Sequence, residues 1–509
     1  MTGALGRHQG MVRTIEELEK RLYQLVINRL NGDGIHDASY RKALFNLVKK
    51  GLGGFIIFGG AKGEIKDFIL ELQSLAEIPL FIASDIERGV GQQIKGANSV
   101  PCPMAMAAAL DRGSPEDALL LENVLKGVAD EAIDNGINLP LIPVMDVNQE
   151  PDNPIICTRA FSDDPETVSW FGSEYIRTLE HTGLISCAKH FPGHGDTAVD
   201  SHIALPVIKK SREDLNGLDL IPFIKAIKTG VSSIMVGHLA VPSLDDVPAS
   251  LSKKIMYGLL REELGFKGLI LTDALDMHAL NNRGNLPVKC INAGADMLLH
   301  PTDADAAVAG LLSAVVSGEI EDRTVNNAVC RIVRAKERLG RIVPRGADYG
   351  ASRGLSSLIA EKSITLVKHG PGLLPLTETK DVRLIIAGDI ALPSSSPLKH
   401  YLPLSFALDD IAAAADETVI FALFASVAAW KGSSGLAGED KEKIAGLIKQ
   451  ARKAIVISFG SPYVLRYFGE ADILIAAFEP TDQAQEAVTR CLKGEMDFMG
   501  RLPVKLDQG

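Results

Sequence analysis

Short apolar segments recur along most of the chain, and each ends in a polar or glycine-rich turn. In the first part of the chain they cover residues 54–58, 79–83, 137–141, 184–186, 233–236, 269–271 and 297–299. Segments with a helical pattern, such as 116–135 and 165–181, lie between them. Apolar runs of strand length that alternate with helices are typical of parallel sheets, whose strands are buried on both faces. The pattern predicts a parallel α/β fold, without distinguishing a closed barrel from an open, doubly wound sheet.

The length of 509 residues is too great for one ordinary domain, so two domains are expected. Glycine and proline residues between 341 and 354 interrupt the pattern after a helix-like segment. They predict a boundary there, with domains 1–345 and 346–509. In the second domain we expect another α/β unit, with a helix over 438–454 and strands near 382–387, 418–424, 454–459 and 473–477.

Composition argues against several classes of function. A net charge of -11 and a pI near 5.6 disfavour a nucleic-acid partner. The six cysteines are scattered without a C-x-x-C pair, so reduced thiols are expected, with no zinc site and no cofactor. Residues 1–34 lack a signal-peptide pattern, and the apolar stretch 411–430 is interrupted by two acidic residues. We therefore expect a soluble, cytoplasmic protein without a membrane partner.

The most informative segment is CAKHFPGHGDTAVDSH at residues 187–202, directly after a predicted strand. Its proline and glycines exclude a regular helix. His190 and His194 have the four-residue spacing of a two-histidine metal site, but without a helix their rings are not aimed at one ion, so a metal is not expected. The same segment carries Asp200 and His202, so binding or catalysis is favoured over a purely structural role.

Asp200 and His202 are two residues apart. In an extended segment their side chains share a face, where the carboxylate can hold the imidazole in one tautomer and favour its protonated form. A solvated aspartate and a histidine satisfied by other partners are the alternative interpretation of this pair.

Several further motifs occur in a fixed order along the chain. In the first domain they are SDIERG (84–89), PVMDV (143–147), NP (153–154), RAF (159–161), KHFPGHG (189–195), DSH (200–202), LP (205–206) and LTDAL (271–275). In the second they are SITLVK (363–368), LLPL (373–376), GSPY (460–463) and GRLPV (500–504). Together they resemble glycoside hydrolase family 3, in the subgroup of β-N-acetylglucosaminidases whose acid/base is a His–Asp dyad.

The resemblance implies an N-terminal (β/α)8 TIM-type barrel with a C-terminal α/β sandwich domain. It also implies a retaining mechanism in which Asp273 is the nucleophile, His202 the acid/base and Asp200 the residue that orients it. From the residues alone, Asp273 can equally be a helix N-cap. Asp276 is expected at a helix start or beside the catalytic groups.

The residues implied to bind the sugar are Asp85, Arg159, Lys189 and His190, because charged groups make directional hydrogen bonds to hydroxyls. His238 is expected in a supporting role there, and its alternative is a packed core histidine. The segment from Glu87 to Gln93 differs from the resembled family, in which many members have a glycine pair and a later arginine.

The resemblance therefore implies a metal-independent exo-β-N-acetylglucosaminidase acting on a small carbohydrate, with a role in recycling amino-sugar fragments of the cell wall. A neutral histidine repels an anion less than a carboxylate does, so a phosphorylase that uses phosphate as acceptor stays open. A β-glucosidase of the same family is a second alternative. A catalytically silent carbohydrate-binding scaffold is disfavoured because Asp273 and His202 are both present. The oligomeric state is left open.

Overall fold

The first eight strands form a closed parallel barrel. The computed structural model describes residues 15–201, 203–280, 284–341, 349–411, 413–414, 416–428 and 431–506. The barrel strands are β1 (Val26–Asn31), β2 (Gly54–Phe58), β3 (Phe81–Ser84), β4 (Leu139–Pro140), β5 (Cys187–Phe191), β6 (Ser233–Val236), β7 (Leu269–Thr272) and β8 (Leu298–Leu299). They pair in the order β4-β3-β2-β1-β8 and β5-β6-β7. Parallel bridges from Val144 to Lys189 and from Leu271 to Met297 join the two groups at both edges.

Helices surround this barrel. They are α1 (Ala38–Lys49), α2 (Glu64–Leu75), α3 (Pro103–Ala109), α4 (Pro115–Asp134), α5 (Pro165–His181), α6 (Arg212–Gly217), α7 (Leu220–Thr229), α8 (Leu286–Ala293), α9 (Ala304–Ser317) and α10 (Asp322–Lys336), with a further helical segment at Lys254–Glu263. Side-chain caps fix several starts: Asp37, Ser114 and Asp164 each accept a hydrogen bond from a first-turn N–H. Apolar helix faces cover strands that are themselves apolar, such as the GFIIF run of β2.

The second unit is a six-stranded sheet between two layers. Its strands are β9 (Thr365–Lys368), β10 (Val382–Gly388), β11 (Ser405–Ala407), β12 (Thr418–Phe424), β13 (Lys453–Ser458) and β14 (Ile473–Ala476), in the order β11-β10-β12-β13-β14-β9. Only β9 runs antiparallel to its neighbour among these described strands. Its helices are α11 (Tyr349–Ser363), α12 (Pro397–Tyr401), α13 (Gly438–Gln450) and α14 (Asp482–Lys493).

The two units share a core. Met104 and Ala108 of α3 belong to the same buried apolar cluster as Phe421 and Val456 of the second sheet. The opposite face of this sheet packs in a separate cluster that includes Val488 of α14. Burial of α3 between the barrel and the sheet therefore couples the position of the second unit to the first.

Three strands, β1, β9 and β11, were not predicted, and one predicted strand begins later in the structure. β1 was not predicted, because Asn28, Arg29 and Asn31 interrupt its apolar run and only its remaining residues face the core. The strand predicted at 184–186 instead begins at Cys187 and contains Lys189 and His190. Charged residues are rare in a barrel strand, and here they are stabilised by buried acidic partners described below.

The remaining predicted strands match to within a few residues. The predicted helix 438–454 ends earlier, at Gln450, because Lys453 already begins β13. The predicted boundary at residue 345 lies outside the described residues and stays a prediction.

The described part of the chain contains no helix long and apolar enough to cross a membrane. In the same part, no three His, Cys, Asp or Glu side chains are grouped so that they can hold a metal ion. All six cysteines are free, and Cys330 is the exposed one.

Lys336, the last residue of α10, gives a pH-dependent prediction. Its ammonium is buried, donates to Gln24 Oε1 at 2.8 Å and lies 5.1 Å from the centre of the Phe81 ring. Burial lowers the pKa of Lys336 to about 7. In the unfolded chain Lys336 keeps its proton up to about pH 10. Between pH 7 and 10 the unfolded chain therefore binds more protons than the folded state, and the free energy of unfolding rises with pH across this range.

Lys336→Met should therefore remove about 3 kcal/mol of pH dependence between pH 7 and pH 9.5. The unfolding free energies of wild type and variant are measured in urea at pH 7 and pH 9.5. Relative to the variant, wild type should be more stable at pH 9.5 than at pH 7. Lys225→Met, at an exposed lysine, is the control. A difference that does not change with pH would mean that Lys336 keeps its charge in the folded state.

Candidate active site

A cavity of about 460 Å³ opens at the carboxyl ends of the barrel strands. Residues at these ends converge on one mouth in barrels of this kind. The structure brings five of the predicted site residues to its wall, namely Asp85, Arg159, Lys189, His190 and Asp273.

Asp273 follows β7 directly. Its N–H donates to Val236 O at 3.0 Å, which places the residue at the end of the paired strand, and its Oδ1 accepts from the Ala274 N–H at 2.8 Å. The next α-helix in the described chain begins at Leu286, so Asp273 is not the cap of an α-helix. A carboxylate held at the open end of a barrel strand is placed to meet a ligand in the cavity.

Lys189 is held inside the barrel by two carboxylates. Its Nζ lies 2.6 Å from Asp85 Oδ1 and 2.8 Å from Glu87 Oε1. Glu87 also accepts two hydrogen bonds from Arg159, at 2.8 Å from Nε and 2.7 Å from the terminal nitrogen. Two positive and two negative side chains, from three segments of the chain, therefore meet at one side of the cavity.

The charges in this cluster stabilise one another. Burial raises the pKa of Glu87, but the charges of Arg159 and Lys189 outweigh it and hold this pKa well below its usual value. Burial lowers the pKa of Lys189, whereas Asp85 and Glu87 raise it above its usual value. The cluster therefore keeps fixed cationic donors and carboxylate acceptors at neutral pH.

His190 belongs to a second buried cluster. Asp146, which is fully buried, accepts from His190 Nδ1 at 2.8 Å and from the N–H groups of His190 and His194 at 3.1 Å and 2.7 Å. Burial raises the pKa of Asp146. The neighbouring charge and hydrogen bond of His190 outweigh burial and lower this pKa below its usual value. Because Nδ1 is engaged, Nε2 is the ring nitrogen that His190 can offer to a ligand.

His194 lies beside His190, with ring centres 5.9 Å apart. Burial, together with the His190 charge, lowers the pKa of His194 to about 4, so this ring is neutral at physiological pH.

Lys189 and His190 are consecutive, yet both line the cavity. Side chains of successive strand residues normally point to opposite faces. Here the pairing of β5 with β6 shifts register between Ala188 and Phe191, which interrupts the alternation at these two residues.

The opposite wall contains a smaller polar group. Asp276 Oδ1 lies 3.0 Å from His300 Nδ1. Burial raises the pKa of Asp276, but the hydrogen bond and charge of His300 lower it below its usual value. The Arg29 guanidinium lies 5.0 Å from the centre of the Phe58 ring on the same wall. Asp276 thus lies near the predicted nucleophile, paired with a histidine.

His238 is buried behind the cavity wall. Its Nδ1 lies 2.7 Å from Ser250 Oγ, and its Nε2 lies 2.9 Å from the carbonyl oxygen of Ala274. It holds the residue that follows Asp273. His238 is not among the residues that line the cavity, and its supporting role stays a prediction.

The predicted dyad is described only in part. His202 lies outside the described residues, and its role stays a prediction. Asp200 is buried, and its carbonyl oxygen accepts from the N–H groups of Ile203 and Ala204 in a tight turn. Ser201 lines the cavity, so this segment reaches the site.

The second unit completes the cavity. Val427 and Ala428, which follow β12, line it together with the barrel residues. The second unit therefore covers one side of the cleft in addition to packing on α3.

The sequence did not assign a role to Glu87 or Asp146. Both stand within the quoted motifs SDIERG and PVMDV. The signal for Glu87 was an acidic residue two positions after Asp85 at a strand end, and for Asp146 an isolated acid within an apolar run.

Comparison with known proteins identifies the family. A family model described as the glycosyl hydrolase family 3 N terminal domain matches residues 17–335, more than half of the chain. The chain belongs to glycosyl hydrolase family 3. The predicted family is therefore confirmed.

Similar proteins extend this result. Beta-hexosaminidase A of Pseudoalteromonas piscicida is 33% identical over 350 residues, which are 62% of this chain and 58% of that protein. The chain thus spans less than two thirds of the length of this relative. A solved family 3 beta-N-acetylglucosaminidase from Paenibacillus sp. str. FPU-7 is 27% identical with a TM-score of 0.82, covering 96% of this chain and 98% of that one.

A solved structure described as a beta-glucoside phosphorylase is 25% identical, with a TM-score of 0.86 over 96% of this chain and 94% of that one. Together with the closed barrel and the mixed second sheet, these two solved structures confirm the predicted TIM-type barrel with a C-terminal α/β sandwich domain.

Glu87→Gln tests the buried cluster. The change removes the charge that compensates Lys189 and Arg159, and breaking a buried ion pair is expected to cost about 3 kcal/mol of unfolding free energy. Urea denaturation at pH 7 measures the loss. Glu77→Gln, in an exposed pair with Lys20, should change stability by less than about 0.5 kcal/mol. Similar small losses of unfolding free energy for both variants would show that Glu87 does not stabilise the buried cluster.

Proposed function

We propose that this protein is a retaining exo-β-N-acetylglucosaminidase. The observation that carries the proposal is the Asp273 carboxylate, which shares one cavity with the charged cluster of Lys189 and Glu87. A nucleophilic carboxylate beside groups that hold a sugar is the arrangement that retaining glycosidases need. The names of the Pseudoalteromonas and Paenibacillus relatives support the choice of amino sugar.

The proposed reaction has two steps. In the first, Asp273 attacks the anomeric carbon, His202 gives a proton to the leaving oxygen, and a glycosyl ester with Asp273 forms. In the second, His202 removes a proton from water, which attacks the same carbon and releases the sugar with its original configuration. Asp200 orients His202 and favours its protonated form before the first step.

The proposed sugar contacts come from the two charged clusters. Asp85, which is partly exposed, accepts from hydroxyls, Lys189 and Arg159 donate to them, and His190 forms a further hydrogen bond through Nε2. A cavity of about 460 Å³ holds a small sugar rather than a long chain, which supports removal of a terminal residue.

We also propose the biological setting implied by the resemblance. The substrate is an amino-sugar glycoside derived from the cell wall. The two domains of the protein are residues 1–345 and 346–509. Six free cysteines support a reducing compartment, and we propose the cytoplasm.

Phosphorolysis is the second candidate. It is supported by the similarity to a beta-glucoside phosphorylase and by Arg29 and Arg88, two cations on the cavity wall. A histidine that has given up its proton is neutral and leaves room for an anionic acceptor.

Asp273→Ala tests the nucleophile. Loss of the attacking carboxylate should lower kcat/KM for an aryl β-N-acetylglucosaminide by several orders of magnitude, with little change in thermal stability. Asp246→Ala, at an exposed aspartate, should retain full activity. Activity of Asp273→Ala near that of wild type would refute the assigned nucleophile.

A panel of aryl β-N-acetylglucosaminide, β-glucoside and β-xyloside, each with and without phosphate, tests substrate and acceptor. A site that pairs with a polar substituent rejects analogues that lack it, so we expect a large preference for the acetamido sugar. Equal efficiency on the glucoside would favour a β-glucosidase. Formation of a sugar 1-phosphate as the main product would favour the phosphorylase.

A further inference from the structure

The loop that carries Asp200 and His202 has two anchored stems. The first stem, residues 193–197, follows β5. Gly195 O accepts from the N–H groups of Gln149 and Glu150 at 3.0 Å and 3.1 Å. A Cβ at Gly195 would lie 1.7 Å from Val147 O, so only glycine allows the stem to approach this closely.

The second stem, residues 206–210, returns the chain to the barrel. Ile208 N–H donates to Ala240 O, and Ala240 N–H donates to Pro206 O, both at 2.9 Å. The segment 198–204, which contains the dyad, lies between the two stems in the chain.

Lys210 connects the second stem to the first. Its mostly buried Nζ lies 2.7 Å from Asp219 Oδ2 and 3.5 Å from Asp196 Oδ2, and it donates to Gln149 Oε1. Asp196 belongs to the first stem, and Gln149 is the residue whose N–H binds Gly195. One ammonium therefore contacts the first stem and the chain segment that supports it.

Asp219 gives this ammonium a fixed position. It is buried before α7, and its Oδ1 accepts from Gln149 Nε2 at 3.1 Å. Asp219 also lies against Gly193, because a Cβ added at Gly193 would be 3.0 Å from the Asp219 side chain. Lys210, Asp219 and Gln149 thus form a closed polar network under the base of the loop.

We propose that Lys210 is a positioning residue that clasps the two stems of the dyad loop and thereby sets the distance between its proton donor and the Asp273 carboxylate. The inference rests on the proposed function, because that function assigns the donor to this loop. Proton transfer to a leaving oxygen depends steeply on geometry, and a displacement of about 1 Å can cost about 100-fold in rate. Loss of the clasp should therefore impair the protonation of the leaving group more than the attack by Asp273.

The test is a leaving-group series of aryl β-N-acetylglucosaminides with Lys210→Met, Lys210→Arg and the control Lys209→Met, whose lysine is an exposed neighbour. Lys210→Met should lose about 10-fold or more in kcat/KM on the poorest leaving group and less than about 3-fold on the most activated one, whose departure needs little protonation. Lys210→Arg should restore most of the loss, and Lys209→Met should match wild type.

Lys210→Met leaves Asp219 buried without its cation, so its thermal unfolding is measured in parallel. The double variant Lys210→Met/Asp219→Asn removes both charges and should show the same steepened leaving-group dependence in a folded protein. A loss that is equal for all aglycones, or wild-type activity in the folded double variant, would overturn the clasp.

His202→Ala separates this inference from the proposed function. A steep series for His202→Ala supports the assigned acid, and a flat one overturns that assignment together with the clasp, which would then have no proton donor to position. A steep series for Lys210→Met beside a steep one for His202→Ala supports the clasp, and a flat series for Lys210→Met beside a steep one for His202→Ala overturns the clasp alone.

Discussion

A lysine ammonium inside the barrel is the interaction on which the candidate site depends. Lys189 has 1% of its side chain exposed, and a buried charge of this kind is stable only when it is paired and hydrogen-bonded. Asp85 and Glu87 supply the pairing, and Glu87 in turn requires Arg159 because it is buried as well. The loops after β3 and β4 are therefore tied to β5, and this connection forms one side of the cavity.

Two independent clusters meet at β5 because its alternation is interrupted. Lys189 pairs with the acids after β3, whereas the next residue, His190, pairs with Asp146. A regular strand would turn one of these side chains away from the cavity. The shifted register with β6 keeps both there, so the chain gains a cationic donor and an oriented imidazole from adjacent positions.

Much of the barrel was predictable because its strands are short apolar runs, and burial on both faces leaves that pattern in the sequence. β1 was not predicted because half of its residues are polar, and Arg29 faces the cavity mouth instead of the core. β5 was placed too early for the same reason, since Lys189 and His190 are polar residues in a strand. An apolar pattern cannot reveal a strand whose polar side chains are satisfied by partners distant in the chain.

For the candidate site, the sequence by itself predicted residues that the structure places on the cavity wall: Asp273 at a strand end and the motif that holds Lys189 and His190. Local patterns contain this information because strand ends and helix-breaking loops are short-range features. Only the tertiary structure decided that Glu87 and Asp146 compensate these charges and that Val427 closes the cavity. Such pairings join residues tens to hundreds of positions apart, and the desolvation that makes them necessary exists only after the barrel has closed and the second sheet has packed on α3.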